Sequence, residues 1–230
     1  MPNKKHLKRL DLIIASGNKQ MEYLSQFVSK EKLAFVPLGI DTDFFRPLAN
    51  NMKINNSTQT LLHVGCNRRD YYTLKEVFIQ LQLLKPEIRL EMVGADNAKI
   101  IFQGIKNVIF HPFLTDEELL DVYQNASLLI LPLLEGGSSQ SLNEAMATGL
   151  PIVTNNLPNL CDYVEMDNVF MGPSGDVAVM TKYCNKLLSD SELWKRVSKN
   201  VRLHSLRFNY KHTRERIIDL YKYKFNFKII

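Results

Sequence analysis

Leu131-Pro-Leu-Leu-Glu135-Gly-Gly-Ser-Ser-Gln140-Ser-Leu-Asn-Glu144-Ala-Met-Ala-Thr-Gly149-Leu-Pro151 carries the chain from an apolar run, through a turn of glycines and serines, into a helix-forming run. Residues 127–131 read as a strand and 140–148 as a helix, which Gly149-Leu-Pro151 stops and feeds into a further strand. A strand that ends in a small-residue turn opening a helix brings free backbone N–H groups and the positive helix end to one point. A phosphate fits there. Gly136 and Gly137 have no Cβ to hold a ligand away, and Ser138, Ser139 and Ser141 add hydroxyls and amides, so a diphosphate is well suited.

The same alternation continues on both sides. Strands are expected at 60–65, 88–93, 107–110, 151–154 and 168–171, and helices at 70–84, 115–125 and 174–188, which is the signal for βα units and a parallel sheet. Right-handed crossovers would place helices on both faces. The expected fold class is therefore α/β, a Rossmann-like parallel sheet covering residues 55–190, with ligands at the carboxyl ends of its strands. Thr115 followed three residues later by Glu118 reads as a capping box. Residues 1–48 read as a separate short unit, with a basic helix, a strand at 11–15, a helix near 18–28 and a strand at 33–36. An Asn-rich stretch at 49–58 reads as a linker, and 191–230 as two closing helices.

A chain of 230 residues with 45% hydrophobic content can bury one sizeable core. Nothing in it reads as an export signal or as about 18 consecutive apolar residues, so a soluble, cytoplasmic protein is expected. Cys66, Cys161 and Cys184 are odd in number and widely spaced, which suggests neither a disulfide framework nor a zinc site. The net charge of +5 is unevenly spread, because residues 1–10 carry four Lys/Arg and no acid, and residues 195–230 carry eleven against two acids. That tail, interleaved with Tyr210, Tyr221, Tyr223, Phe225 and Phe227, reads either as a solvated helix whose aromatics pack inward or as a peripheral membrane contact. Nucleic acid is not the expected partner.

Several residues carry the chemistry. Arg68 and Arg69 follow the glycine turn His63-Val-Gly65-Cys-Asn-Arg-Arg-Asp70, and an arginine fork meets phosphate oxygens in two places. The alternative is a surface arginine paired with Asp70. Ser141-x-x-Glu144 could itself be a capping box that occupies the Glu144 carboxylate. His111 reads as a turn residue and His63 as a core strand residue. Asp41-Thr-Asp43 has the spacing of a metal site, yet the stretch around it, Val36-Pro-Leu-Gly39-Ile-Asp41-Thr-Asp43-Phe-Phe-Arg-Pro47, resembles the interdomain segment of the GT-B glycosyltransferases. No metal or other cofactor is expected.

The stretch Glu144 to Pro151, the interdomain segment and the glycine turn resemble the family 4 (group 1) glycosyltransferases of GT-B fold. Their turn reads an acid, small residues and then Glu-Ala-Met-Ala-x-Gly-x-Pro. The resemblance implies the nucleotide-sugar-binding, C-terminal half of such an enzyme, with residues 1–36 resembling only the end of the acceptor-binding half. It implies a retaining transfer from a UDP-, GDP- or ADP-sugar, with the acceptor half supplied as a separate subunit or as further chain. By position it gives Glu144 to the ribose hydroxyls, Glu135 to the donor sugar as the catalytic-site acid, and Arg68 or Arg69, with Gly65, Gly136, Gly137, Ser138 and Ser139, to the diphosphate. Two features depart from the family. Eight residues rather than seven separate Glu135 from Glu144, and the family's lysine has no match at its offset, since Lys75 lies further on, inside an expected helix.

Overall fold

A computed structural model describes residues 4–48, 59–136, 139–158, 160–165 and 168–226. The Asn-rich stretch expected as a linker, 49–58, lies outside these. In chain order the elements are α1 (Lys4–Leu7), β1 (Ile13–Ala15), α2 (Asn18–Leu24), β2 (Leu33–Phe35), β3 (Thr60–Val64), α3 (Tyr71–Leu84), β4 (Arg89–Val93), β5 (Val108–His111), α4 (Asp116–Asn125), β6 (Leu128–Leu131), α5 (Gln140–Thr148), β7 (Ile152–Asn155), β8 (Phe170–Gly172), α6 (Val177–Ser189), α7 (Ser191–Ser205) and α8 (Tyr210–Phe225).

Six strands form one parallel sheet in the order β5-β4-β3-β6-β7-β8. The chain therefore builds outward from β3 in one direction, returns, and builds outward from β6 in the other. With right-handed crossovers, that reversal puts α3 on one face and α4 and α5 on the other. The packing agrees, for α3 lies against α6, while α4 and α7 both lie against α5. A sheet covered on both faces needs strands that are apolar throughout. Leu128 to Leu131 are fully buried, as are Leu61, Leu62, Leu90, Ile152 and Val153. The order reverses between β3 and β6, so their carboxyl ends flank the crevice where such sheets take ligands.

Local chemistry sets the helix ends. Thr115 Oγ1 accepts from the Glu118 amide while the Glu118 carboxylate accepts from the Thr115 amide, the reciprocal cap expected from the sequence. Gly149 closes α5 in the left-handed conformation at φ 72°. The helix expected from residue 70 starts one residue later because Asp70 is its cap, accepting from the Thr73 amide. The one expected from 174 starts at Val177, capped by Asp176. The helix expected over 18–28 ends at Leu24.

The N-terminal unit adds a second, two-stranded parallel sheet, β1 with β2. It is tied down by polar contacts across the chain. Asp162 accepts from the Asn18 amide and side chain at 2.7 and 2.6 Å, and the Tyr163 hydroxyl lies 2.6 Å from Ser16 O. Arg202 bonds the carbonyls of Thr42, Phe45 and Ala147, clamping the segment after β2 to α5. Gly39 passes so close to α8 that a Cβ there would sit 2.8 Å from the Tyr210 Cα. The expectation that the tail aromatics pack inward does not hold for the four that are described, Phe227 lying outside the described residues. No residue of α8 is buried, and Tyr223 is 88% exposed, with Tyr210, Tyr221 and Phe225 all above 40%. Among the described residues no helix is long and apolar enough to cross a membrane.

Candidate functional site

The loops after β3 and β6 are zipped together at the point of strand reversal. Arg69 and Leu133 form an antiparallel bridge, the Leu134 amide donates to Arg68 O at 2.9 Å, and the Asp70 amide donates to Pro132 O at 3.0 Å. Asn155, at the end of β7, completes the frame. Its side chain is 1% exposed, accepts from the Leu133 amide at 2.7 Å, and donates to Leu133 O and Ser174 Oγ. A buried amide satisfied at both ends makes a rigid support.

On this frame Arg69 folds back under the sheet. Its Nε and Nη2 donate to Val64 O at 3.1 and 2.9 Å, and Nη2 also donates to Ser141 Oγ at 2.9 Å. Gly65 makes this possible twice over. Its φ of +90° belongs to the region glycine tolerates, and a Cβ there would stand 2.9 Å from Arg69 Nη2. Burial pushes the Arg69 guanidinium below its ordinary pKa, while Tyr123, Tyr71, Cys66 and Glu144 around it work the other way. The alternative of an Arg69–Asp70 surface pair is ruled out, since Asp70 spends its carboxylate on Thr73.

Glu144 sits one turn into α5 and is 9% exposed. It is not the capping-box carboxylate, because the helix cap is Ser139, three residues before Leu142 and without a side-chain cap bond. Glu144 instead accepts from the Tyr123 hydroxyl at 2.8 Å. Burial raises its carboxyl pKa, with the Tyr123 hydrogen bond the main opposing influence. Ser141 Oγ lies 2.9 Å from Ser139 Oγ, so Arg69, Ser141 and Ser139 form a continuous polar chain along the start of α5.

Glu135 is differently placed. It lies on the surface and pairs with Arg68 at 3.1 Å, with both side chains more than 60% exposed. Arg68, Arg69, Glu135, Gly136 and Ser139 line one cavity of about 250 Å³. The fold thus gathers five of the expected site residues, while Gly65 and Glu144 do not line that cavity, Gly65 lying against Arg69 and Glu144 against Tyr123. Gly137 and Ser138 lie outside the described residues. A cavity of about 270 Å³ opens at Ser127, Gly149 and Trp194, at the amino ends of the strands, away from the crevice.

The remaining candidates are engaged elsewhere. Asp41 accepts from the amides of Asp43 and Phe44, and Asp43 pairs with Lys211 at 2.7 Å, which holds its carboxyl below the usual range. Among the described residues no group of three His, Cys, Asp or Glu side chains is placed to hold a metal. His63 is fully buried on β3 with Nδ1 on Ile130 O, and burial lowers its pKa to about 3. His111 ends β5 rather than lying in a turn, and it bonds Glu91.

A sequence model described as "Glycosyl transferases group 1" matches residues 49–204. The chain belongs to that family. Relatives of this glycosyltransferase chain include an MMP alpha-(1->4)-mannosyltransferase of Mycolicibacterium hassiacum, 28% identical over 207 residues, which are 84% of this chain and 48% of that protein. A serotype-specific mannosyltransferase, WbdA of Escherichia coli, is 25% identical over 142 residues, 61% of this chain and 16% of its own length. The chain spans about half or less of the length of these relatives. Among solved structures, a sucrose-phosphate synthase of Thermosynechococcus elongatus superposes with a TM-score of 0.83 at 21% identity, over 97% of this chain and 60% of its own. HepE of Anabaena, in complex with UDP and glucose, does so at 0.76 and 16% identity, over 95% and 67%. At these identities the likeness speaks for the fold, the GT-B Rossmann-like type.

Two residues of the candidate site were not legible in advance. Tyr123 stands at a core position of an amphipathic helix, where its sequence signal is that of any packed aromatic. Asn155 ends a strand, a common place for an asparagine. Only the polar tip of each hints at a partner, since buried hydroxyls and amides take one.

Proposed function

We propose that the chain is the donor-binding half of a transferase that moves a sugar from a nucleoside diphosphate to an acceptor, with retention at the anomeric carbon. The observation that carries this is the meeting of a sequestered arginine, Arg69, with the first turn of α5 at the strand reversal. A guanidinium held in place by Val64 O and Ser141 Oγ has lost little freedom when it meets a diphosphate. The helix end adds oriented amides. Glu144 then takes the ribose hydroxyls as acceptor, Gly65 and Gly136 keep backbone out of the way, and Glu135 meets the hydroxyls of the donor sugar. Arg68, released from Glu135, adds a second cation at the leaving phosphate. The mannosyltransferase relatives and the UDP complex of HepE support a nucleotide-sugar donor. No metal is required in this scheme.

The acceptor wall of the cleft belongs, in this reading, to a domain packed on the N-terminal unit, as further chain or as a separate subunit. Holding an acceptor oxygen against the anomeric carbon in a dry cleft can lower a barrier by about 7–11 kcal/mol. One sheet with an open crevice cannot do so alone. The test is transfer from radiolabelled UDP- and GDP-sugars to a lysate-derived acceptor mixture, with the purified chain alone and with a candidate partner domain. The expected result is donor binding without transfer by the chain alone, and transfer on addition of the partner. Robust transfer by the verified monomer would contradict the assignment of this chain to one half of the site. Binding without transfer under any pairing would favour a nucleotide-sugar-binding protein derived from a transferase.

A further inference from the structure

The roles given to Arg69, Glu144 and the α5 turn leave one buried polar group of the site unused. Tyr123 lies on α4, is 1% exposed, and packs edge to face on Phe45. Its hydroxyl donates to Glu144 Oε2 at 2.8 Å and lies 3.3 Å from Ser141 O. Glu144 Oε1 takes no hydrogen bond from any described residue, although the residue is 9% exposed. Oε1 is not among the buried side-chain atoms left without a partner, so the one accessible edge of this enclosed residue is an acceptor open to a ligand. One oxygen is tied to a rigid ring and the other is bare. If Tyr123 served only to fill the core, a phenylalanine would do as well, and no carboxylate would need to be buried beside it.

We propose that Tyr123 is a positioning residue for the donor site: its hydroxyl holds Glu144 in one rotamer through Oε2, so that Oε1 faces the ribose hydroxyls. The inference rests on the nucleotide-sugar reading given above. The hydrogen bond also keeps the carboxylate fit to accept. Burial pushes the Glu144 carboxyl up, Asp116 of α4 adds to that, and the Tyr123 hydroxyl and Arg69 oppose it. Removing the hydroxyl therefore leaves burial less opposed and shifts the protonation midpoint upward.

Tyr123→Phe removes one oxygen and keeps the ring. The first readout is the Glu144 carboxyl titration in the full, ligand-free chain, followed by carbon-13 NMR of labelled glutamate and assigned with Glu144→Gln. An upward shift of about one pH unit is expected, the size set by a hydrogen bond to a charged group. The second readout is calorimetric affinity for UDP and GDP against pH. The variant should bind about tenfold more weakly at neutral pH, with the acid limb of its profile moved up by the same interval. An unchanged midpoint overturns the proposal even if affinity falls, because lost packing weakens binding without moving a titration. A wild-type chain that binds neither nucleotide overturns the nucleotide reading and the ribose role with it, a result distinct from a failed shift. Should the variant not fold, fluorotyrosine incorporation offers the converse test. Its more acidic hydroxyl donates more strongly, so the midpoint must move down, and a midpoint that stays in place overturns the proposal.

Discussion

Two glutamates frame the turn between β6 and α5, and they are built in opposite ways. Glu144 is enclosed, bonded to a buried tyrosine and set within reach of a sequestered arginine. Glu135 is exposed and holds only a surface arginine. The contrast extends to their surroundings. The Glu144 end rests on Arg69, Ser141 and Ser139, each bonded to the next, whereas the Glu135 end leads into residues outside the described set. The difference teaches that the Glu144 end of the crevice, proposed for the nucleotide, is preorganised by the sheet, while the Glu135 end, proposed for the sugar, depends on a surface pair that a ligand must rearrange. Preorganisation favours affinity, because little ordering remains to be done on binding.

Breaking the enclosed end should have the largest effect. Arg69→Ala should weaken nucleoside diphosphate binding by about 3 kcal/mol, the upper range for a charge-assisted hydrogen bond whose partners stay behind, as measured by calorimetry. Glu144→Ala should weaken it by about 1–3 kcal/mol, the cost of leaving buried hydroxyls unpaired.

Glu144→Gln sharpens the comparison, because it separates affinity from stability. The folded chain holds the Glu144 proton more tightly than the unfolded chain does, since burial raises the carboxyl pKa. Its contribution to stability is therefore full below the ordinary value of 4.5 and declines as pH rises through the folded value. The glutamine variant should melt above the wild type at pH 7, with the gap closing toward pH 4.5, while binding nucleotide less well. Scanning calorimetry across that range checks it. Equal melting at all pH values would mean that the carboxylate is not under strain.

At the exposed end the effects should be small. Arg68→Ala or Glu135→Gln should change stability by no more than about 1 kcal/mol, the ordinary worth of a surface ion pair, and Arg68→Ala should weaken nucleoside diphosphate binding less than Arg69→Ala does. Their larger effect should appear with the nucleotide-sugar as ligand, given the role proposed for Glu135 at the sugar hydroxyls. The smallest effect of all is expected from chelation. EDTA should leave nucleotide affinity unchanged, because arginine and backbone amides meet the phosphate charge.

The sheet was legible in the sequence because strands covered on both faces appear as unbroken apolar runs such as Leu128-Leu-Ile-Leu131, and because Thr115, Glu118 and Gly149 mark helix ends by local chemistry. Arg68 and Arg69, after one glycine turn, and Glu135, Gly136 and Ser139, at another, were legible as candidates, and the fold brings all five to one cavity. What stayed hidden depends on contacts between distant residues. The Tyr123 hydroxyl reaches Glu144 across 21 positions, and Asn155 reaches Leu133 across 22, with no local pattern to announce either. The same cause explains the readings that failed. Ser141 and Glu144 have capping-box spacing, but the helix begins two residues earlier than that box requires, and Tyr123 claims the carboxylate. The tail aromatics have helical spacing, but α8 offers no buried face to receive them.

The central claim is that the crevice between β3 and β6 is a nucleoside diphosphate site built around Arg69 and Glu144. Calorimetric titration of the folded chain with UDP, GDP and ADP tests it most directly. The account predicts saturable one-site binding of at least one of them, lost or severely weakened in Arg69→Ala and Glu144→Ala but retained in Arg68→Ala. Absence of binding to the folded wild-type chain for all three, or binding that survives both alanine variants, would contradict it.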